Sequence, residues 1–309
     1  MTHPSRLREL IGPLPSEAAD KARQRLHQGW WRACVLGAAP GPHPKSAGET
    51  ICNTIAGGED SLANLLGQGA RDAVARTLNE RERQSKAAGM VDRARLFGNL
   101  LSSQPLAFNF FGELQRDPAL ATFALRRLLP DIDRVVDVLF EFAPEGWIDN
   151  SAFDVALVVE SRGRTGLIGL ECKFTEPFSP RVYDAPAYRK KAEESGAFRA
   201  AYEDCIDTRF NQLFRGQLMA EELVKSGRYD FRMTGLFCHH DDAGAIATGA
   251  TFRGMLVDGA SFHIITYARF LEALQQLPLS WEQRCWTMTL WARYCALELS
   301  EAAWKAARG

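Results

Sequence analysis

Asp154 and the tripeptide Glu171-Cys172-Lys173 are the residues whose types and spacing most suggest chemistry in this chain. Two carboxylates and an amine gathered on one surface can hold a divalent cation and promote phosphodiester hydrolysis. Oxygen ligands suit a hard ion such as Mg2+ (or Mn2+), which keeps several waters and takes only one or two carboxylates. An amine beside such a pair can orient or deprotonate the attacking water, or stabilise developing negative charge.

The elements around these residues must bring them together. Residues 153–160 (FDVALVVE) and 167–174 (LIGLECKF) are apolar runs rich in strand-forming types, joined by the polar, glycine-containing segment 161–166. That pattern predicts an antiparallel hairpin. Side chains alternate faces along a strand, so a one-residue slip exchanges the two faces. The register that buries the strongest apolar set puts Phe153, Val155, Leu157 and Val159 with Ile168, Leu170, Cys172 and Phe174. The same register gathers Asp154, Ala156 and Val158 with Leu167, Gly169, Glu171 and Lys173 on the other face. With a loop at 161–164, Asp154 falls opposite Glu171, where Cβ atoms stand roughly 4.5–5.5 Å apart. Ala156 and Gly169 are expected to leave space above the pair. Without further context, the same residues read as an exposed, charged sheet face with a cross-strand ion pair.

Asp154 followed by Glu171-x-Lys173 on the next strand resembles the PD-(D/E)XK nucleases, the restriction-endonuclease-like fold. The stretches 102–113 (SSQPLAFNFFGE) and 151–154 (SAFD) are similar to bacterial members of that superfamily. Phe153, where the motif name has Pro, is the one departure. The resemblance covers about residues 100–270. It implies an α/β fold, a three-layer-type αβββαβ core with a mixed central sheet, and extra N- and C-terminal helices. It also implies Mg2+-dependent hydrolysis of nucleic acid, with DNA the expected substrate. Asp154, Glu171 and the Cys172 backbone carbonyl would be the metal ligands, and Lys173 would activate the water. The resemblance of the stretch around Glu113 implies a further acid there; the plain alternative is an exposed helical glutamate. Gln212 and Arg215, one turn apart on a long helix, would touch the phosphate backbone or support the acids, unless they are ordinary helix-flank polarity. Glu141 is set behind these, because Phe140 and Phe142 are expected to be a core-facing pair.

Composition bounds the rest. The 309 residues are 46% hydrophobic and 24% charged, as in an ordinary globular protein that can bury a full core. No apolar run approaches the ~20 residues that span a bilayer. The first ten residues lack the apolar stretch of a signal peptide, so a cytoplasmic location and no membrane partner are expected. Seven cysteines (34, 52, 172, 205, 238, 285, 295) form no CxxC pair, which favours reduced thiols over disulfides or a zinc site. The net charge of −1 argues against a sequence-blind DNA coat protein. Local cationic candidates are Arg189-Lys190-Lys191 and the set Arg209, Arg215, Lys225, Arg228 and Arg232, either of which reads equally as a solvated helix face.

Along the chain, helices are expected at 16–34 (Ser16 as N-cap), 61–88, 93–114 and 119–129, then a strand at 135–142 and the hairpin. A polar stretch at 176–200 lies over the site entrance. A helix at 200–225, strands at 231–238 and 261–266, and an amphipathic helix at 281–307 follow. The domain reading is a helical extension at 1–100, the nuclease-like core at 101–275, and a C-terminal helix at 276–309 packed on it. The Gly/Pro-rich loop at 37–46 carries Lys45-Ser46 but lacks the glycine and the preceding strand of a phosphate loop. Cys238-His239-His240-Asp241-Asp242 reads as a strand-end turn, because adjacent histidines on a strand face opposite ways. His263, alone on an apolar strand, reads as a core residue. No GxSxG elbow or HExxH helix occurs. Two rival readings remain at this level. One is a catalytically inactive module of the same fold that binds nucleic acid or a protein partner, or forms a homo-oligomer, through the tryptophan-bearing C-terminal helix. The other is a structural protein whose hairpin charges only keep a sheet face soluble.

Overall fold

The computed structural model describes residues 19–44, 46, 48–83 and 91–308. The expected N-cap Ser16, the lysine of Lys45-Ser46, the first ten residues and the end of the helix expected to reach 88 lie outside the described residues. Five strands form the central sheet in the order β3-β4-β5-β6-β7: β3 (Arg134–Phe142), β4 (Phe153–Ser161), β5 (Arg164–Cys172), β6 (Phe231–Cys238) and β7 (Phe262–Thr266). A small separate hairpin of β1 (Pro40–Pro42) and β2 (Thr50–Ile55) precedes them, in the region expected to be a loop. The pairs β3/β4 and β4/β5 are antiparallel, whereas β5/β6 and β6/β7 are parallel, so the sheet is mixed. Each parallel step needs a crossover. Helices Asn211–Lys225 and Ala243–Met255 supply them.

Helices cover both faces. On one, Phe108, Phe110 and Phe111 of helix Ser103–Arg116 join Val155, Leu157, Val159, Ile168, Leu170 and Cys172 in the main core. On the other, Met219 and Leu223 of helix Asn211–Lys225 pack over Ala156 and Leu167. This is an α/β/α sandwich, the architecture the resemblance implies. The main core also contains Trp31, Leu65 and Ala70 from the N-terminal region and Trp286, Leu290 and Tyr294 from helix Trp281–Tyr294.

The hairpin has the register read from the apolar pattern: Ser161 pairs with Arg164 and Val155 with Leu170, which carries Asp154 opposite Glu171. Its two-residue turn, Arg162-Gly163, has φ of 53° and 74°. Positive φ at both central positions gives the turn a twist matching that of the strands.

Phe153 departs from the expected pattern. It lies on the Ala156 face rather than with Val155, and a Cβ on Gly169 would fall 2.3 Å from its ring. The space expected above Gly169 is therefore filled by Phe153. Phe142, its cross-strand partner, also packs on that face, and Glu141 between Phe140 and Phe142 has φ of 50°. A left-handed residue breaks alternation, so Phe142 turns to the other face while Phe140 keeps its place in the main core.

Several helices are shorter than their periodicity suggests. The expected helix 93–114 is two, Arg93–Gly98 and Ser103–Arg116. Asn99 is extended, Leu100 N–H bonds the Asn53 carbonyl, and Ser102 caps the second helix through the Gln104 N–H. Likewise 200–225 divides into a turn at Tyr202–Cys205 and the helix Asn211–Lys225, and 281–307 divides at Cys295. Helices Pro186–Ser195, Ala243–Met255 and Tyr267–Gln275 were not expected. No described helix is long and apolar enough to cross a membrane.

Candidate active site

Three carboxylates form a row across three strands. Phe140 pairs with Val155 and Phe142 with Phe153, which sets Glu141 opposite Asp154 just as the hairpin sets Glu171 opposite it from the other side. Glu141, Asp154 and Glu171 all line the same pair of adjoining concavities on the sheet. Glu141, expected to yield its place to a phenylalanine pair, is thus a central member. Alternation from Leu139 puts it on that face, and its left-handed backbone is of the kind that concentrates at functional sites.

Each member is tied down. Asp154 Oδ2 accepts the Cys172 N–H at 2.6 Å. Gln104, at the start of helix Ser103–Arg116, donates to Glu141 Oε1 at 2.8 Å. Glu171 Oε1 lies 2.9 Å from Lys173 Nζ and accepts Gln212 Nε2 at 2.8 Å. Gln212 Oε1 in turn accepts both Lys173 Nζ at 2.8 Å and the Ser179 N–H at 2.7 Å. One amide on helix Asn211–Lys225 therefore clamps the Glu171–Lys173 pair and anchors the polar stretch that crosses the entrance. Lys173 is only 5% exposed, with Nζ 4.9 Å from the Phe178 ring centroid on that stretch. The Tyr267 hydroxyl donates to the Lys173 carbonyl, and Lys173 N–H donates to the Phe237 carbonyl, so its backbone is fixed as well.

The electrostatics follow from the row. Asp154 lies at the foot of the cleft, packed round by protein yet still reached by solvent. Burial, then the carboxylates of Glu171 and Glu141, hold its pKa well above the usual carboxylate range; the Cys172 N–H and Lys173 oppose them. Like charges placed side by side in low dielectric call for a proton or a cation. The donor set, three carboxylates and main chain, consists of hard oxygens and fits Mg2+ or Mn2+ rather than a softer metal. Cys172 contributes no sulfur: its side chain is fully buried in the opposite core, where burial pushes the thiol pKa up.

The remaining expected residues are distributed as follows. Glu113 is not brought to the row. Helix Ser103–Arg116 meets the site with its first turn, and Glu113 lies ten residues further on, about 15 Å along the axis. There its carboxylate accepts the Gly69 N–H at 2.7 Å and faces Arg116 at 3.4 Å. Arg215 lies at the edge of the cleft, its guanidinium 4.2 Å from the Tyr183 ring centroid and 3.1 Å from Asp149 Oδ2. Asp149 also accepts the Tyr188 hydroxyl at 2.6 Å. Glu176, at the mouth, accepts from Arg95 at 2.7 Å and Ser103 at 2.9 Å. Gln104 lay inside the stretch that carried the family resemblance; Glu141, Glu176 and Arg181 left no such signal.

The expected cationic clusters are mostly neutralised at home. Arg189 pairs with Glu203, Lys190 and Lys225 with Glu194, Lys191 with Glu222, Arg209 with Asp207 and Arg232 with Glu221. Arg228 instead lies over the Phe142 ring. Among the described residues, three or more donor atoms all within 4.8 Å of one another occur at His239, His240 and Asp241 and not in the acid row. The two imidazoles do not face opposite ways: their rings stack at 4.1 Å, because the strand ends at Cys238. His239 Nδ1 already accepts the Asp241 N–H, and Asp242 caps the next helix through the Ala245 N–H, as a strand-end turn does. Burial holds the His239 pKa down at about 4. The wider spacing of the acid row matches an ion that retains water, so the row remains the better metal candidate. On helix Trp281–Tyr294, Trp281 is 77% exposed, whereas Trp286 is buried and donates to the Asn109 carbonyl.

A family model described as the PD-(D/E)XK nuclease superfamily matches residues 15–296. No curated protein and no solved structure matches the chain.

Proposed function

We propose that this chain, which belongs to the PD-(D/E)XK nuclease superfamily, is a Mg2+- or Mn2+-dependent nuclease that hydrolyses phosphodiester bonds in DNA. The observation that carries this reading is the Glu141–Asp154–Glu171 row with Lys173 held against Glu171 by Gln212. Asp154, Glu171 and the Cys172 main chain would hold the cation, and Glu141 supports them in place of Glu113. When bound, the ion would withdraw charge from the scissile phosphate and acidify an attacking water. Lys173, fixed by two partners under 3 Å away, orients that water and offsets charge developing on the phosphate. Gln212 is a positioning residue that keeps Lys173 and Glu171 in register. Asp154 must give up its proton for the ligand set to form, so cation affinity falls as pH falls. The segment 101–275 supplies every one of these residues and is the catalytic core in this reading.

Incubation with single- and double-stranded DNA in Mg2+ or Mn2+, beside a Lys173→Ala variant, tests it. The expected result is cleavage by the parent protein and its loss in the variant. Absence of cleavage by the parent protein across DNA and RNA forms would sink the nuclease reading. Calorimetry then identifies what is left: Mn2+ binding that disappears in Asp154→Asn and Glu171→Gln marks an intact metal site without turnover.

A further inference from the structure

Beside the acid row, the cleft continues into a cavity of about 430 Å3 between the sheet and helix Asn211–Lys225. Its lining includes the acid row, Asp149, Arg181, Tyr183 and Arg215. Resting on the nuclease reading above, we infer that this cavity takes one unpaired nucleotide next to the scissile phosphate, so that the substrate is a single strand or a frayed end.

Three observations carry it. Arg215 is only 9% exposed, and its Nε–H is buried with no acceptor, although another guanidinium nitrogen serves Asp149 and Ser151. A buried donor left unpaired beside a cleft can take a phosphate oxygen once the Arg215 side chain shifts toward the ligand. Arg181, exposed at the mouth, has no ion-pair partner among the described residues, in contrast to the neutralised arginines and lysines of the outer helices. Arg181, and Arg215 already paired with Asp149, therefore share the cleft with the row of three acids, which suits the phosphate following the one being cut. Tyr183, part-buried beneath Arg215, puts an aromatic ring in the same cavity, as sites that stack bases of a single strand do.

The aromatic ring decides between strand forms. The volume lies in the range of small-ligand pockets, which suits one nucleotide, and a base stacks on Tyr183 only with its face free, as in a single strand or a frayed end. A paired nucleotide has to leave its partner to enter, and unpairing disfavours duplex most.

Fluorescence anisotropy in Ca2+ tests this without turnover, using a labelled single-stranded oligonucleotide and the same sequence closed into a blunt hairpin duplex. Cleavage of both in Mn2+ is measured alongside. The expected result is single-strand binding on the order of ten-fold tighter than duplex binding. Arg181→Ala should weaken single-strand binding and lower the slope of log affinity against log salt by about 0.7, the loss of one phosphate contact. Equal or tighter duplex binding overturns this inference while leaving the nuclease reading intact if cleavage occurs. Single-strand preference with no cleavage of either form, nor of the matching RNA, keeps the unpaired-nucleotide cavity and overturns the nuclease reading. Failure to bind either form overturns this inference, and the nuclease reading falls with it only if cleavage is also absent from both forms and from RNA.

Discussion

Two polar clusters inside this protein are built on opposite rules. Around Arg293, which is fully buried, each guanidinium nitrogen donates: Nε to Gln28 Oε1 at 3.1 Å, Nη1 to the Asn64 carbonyl at 2.9 Å and Nη2 to Asn64 Oδ1 at 2.6 Å. Asn109 continues the set by donating to the Asn64 carbonyl and the Tyr294 hydroxyl while accepting the Leu66 N–H. Neutral oxygens do all the accepting, and donors and acceptors are matched. The acid row gathers three carboxylates around Lys173, with Arg81 4.0 Å from Glu141, and leaves Asp154 with a raised pKa. A closed network rigidifies a fold, whereas a cluster with excess charge is completed only by something that binds. The first joins helices Ala19–Trp30 and Trp281–Tyr294 to the core; the second has the composition of a site.

The sharpest way to break this contrast is to remove one member from each cluster. Lys173→Ala should lower Mn2+-dependent cleavage by roughly 10²–10⁴-fold, read from initial rates of the folded protein and beyond what any shift of the urea midpoint accounts for. Arg293→Met should do the reverse. It strands the Gln28 and Asn64 oxygens, so stability should fall by about 1–3 kcal/mol, read from the urea midpoint, while Mn2+ affinity of the folded fraction holds. If Arg293→Met abolished Mn2+ binding in protein that is still folded, the division into a structural and a functional cluster would be wrong.

Gln104→Ala probes how far the functional cluster extends. Its amide donates to Glu141 Oε1, and loss of such a supporting bond costs roughly 10–100-fold in metal affinity. Titration with Mn2+ checks it, and unchanged affinity would remove Glu141 from the ligand set.

These tests also divide along what the sequence could reveal. Asp154, Glu171 and Lys173 were legible because a two-residue turn fixes the hairpin register and the apolar face fixes which side the acids take. Glu141 was not, because the connection from Phe142 to Phe153 is too long to set a register and alternation fails at its left-handed backbone. Phe153 was misassigned for the related reason that Gly169 offers its ring a place on the other face. Glu113 has the right chemistry on the right helix but at the far end, and helix direction relative to a sheet leaves no trace in periodicity. The Arg293 network was invisible: its partners stand 229 and 265 residues away in sequence. The order of the strands and the first crossover was readable from pattern; the second crossover, Ala243–Met255, was not, and helix breaks such as Asn99 depended on a distant carbonyl, Asn53.

The smallest expected effect is the one that most directly distinguishes the clusters. Asp154→Asn keeps an oxygen able to accept the Cys172 N–H, so the sheet contact survives while the charge is removed. In the folded protein the Asp154 pKa lies above its unfolded value near ~3.9. Its favourable contribution is therefore complete below the unfolded pKa and is lost as pH rises through the folded one. Without divalent cation, the parent protein should lose stability over that rise and Asp154→Asn should not. The variant should gain about 1 kcal/mol at neutral pH, seen as a higher urea midpoint. Saturating Mn2+ should restore the parent and leave the variant unmoved, since only the carboxylate responds to the ion. A variant less stable than the parent at every pH would make Asp154 a member of a closed network like that of Arg293, and the contrast between the two clusters would fail at its centre.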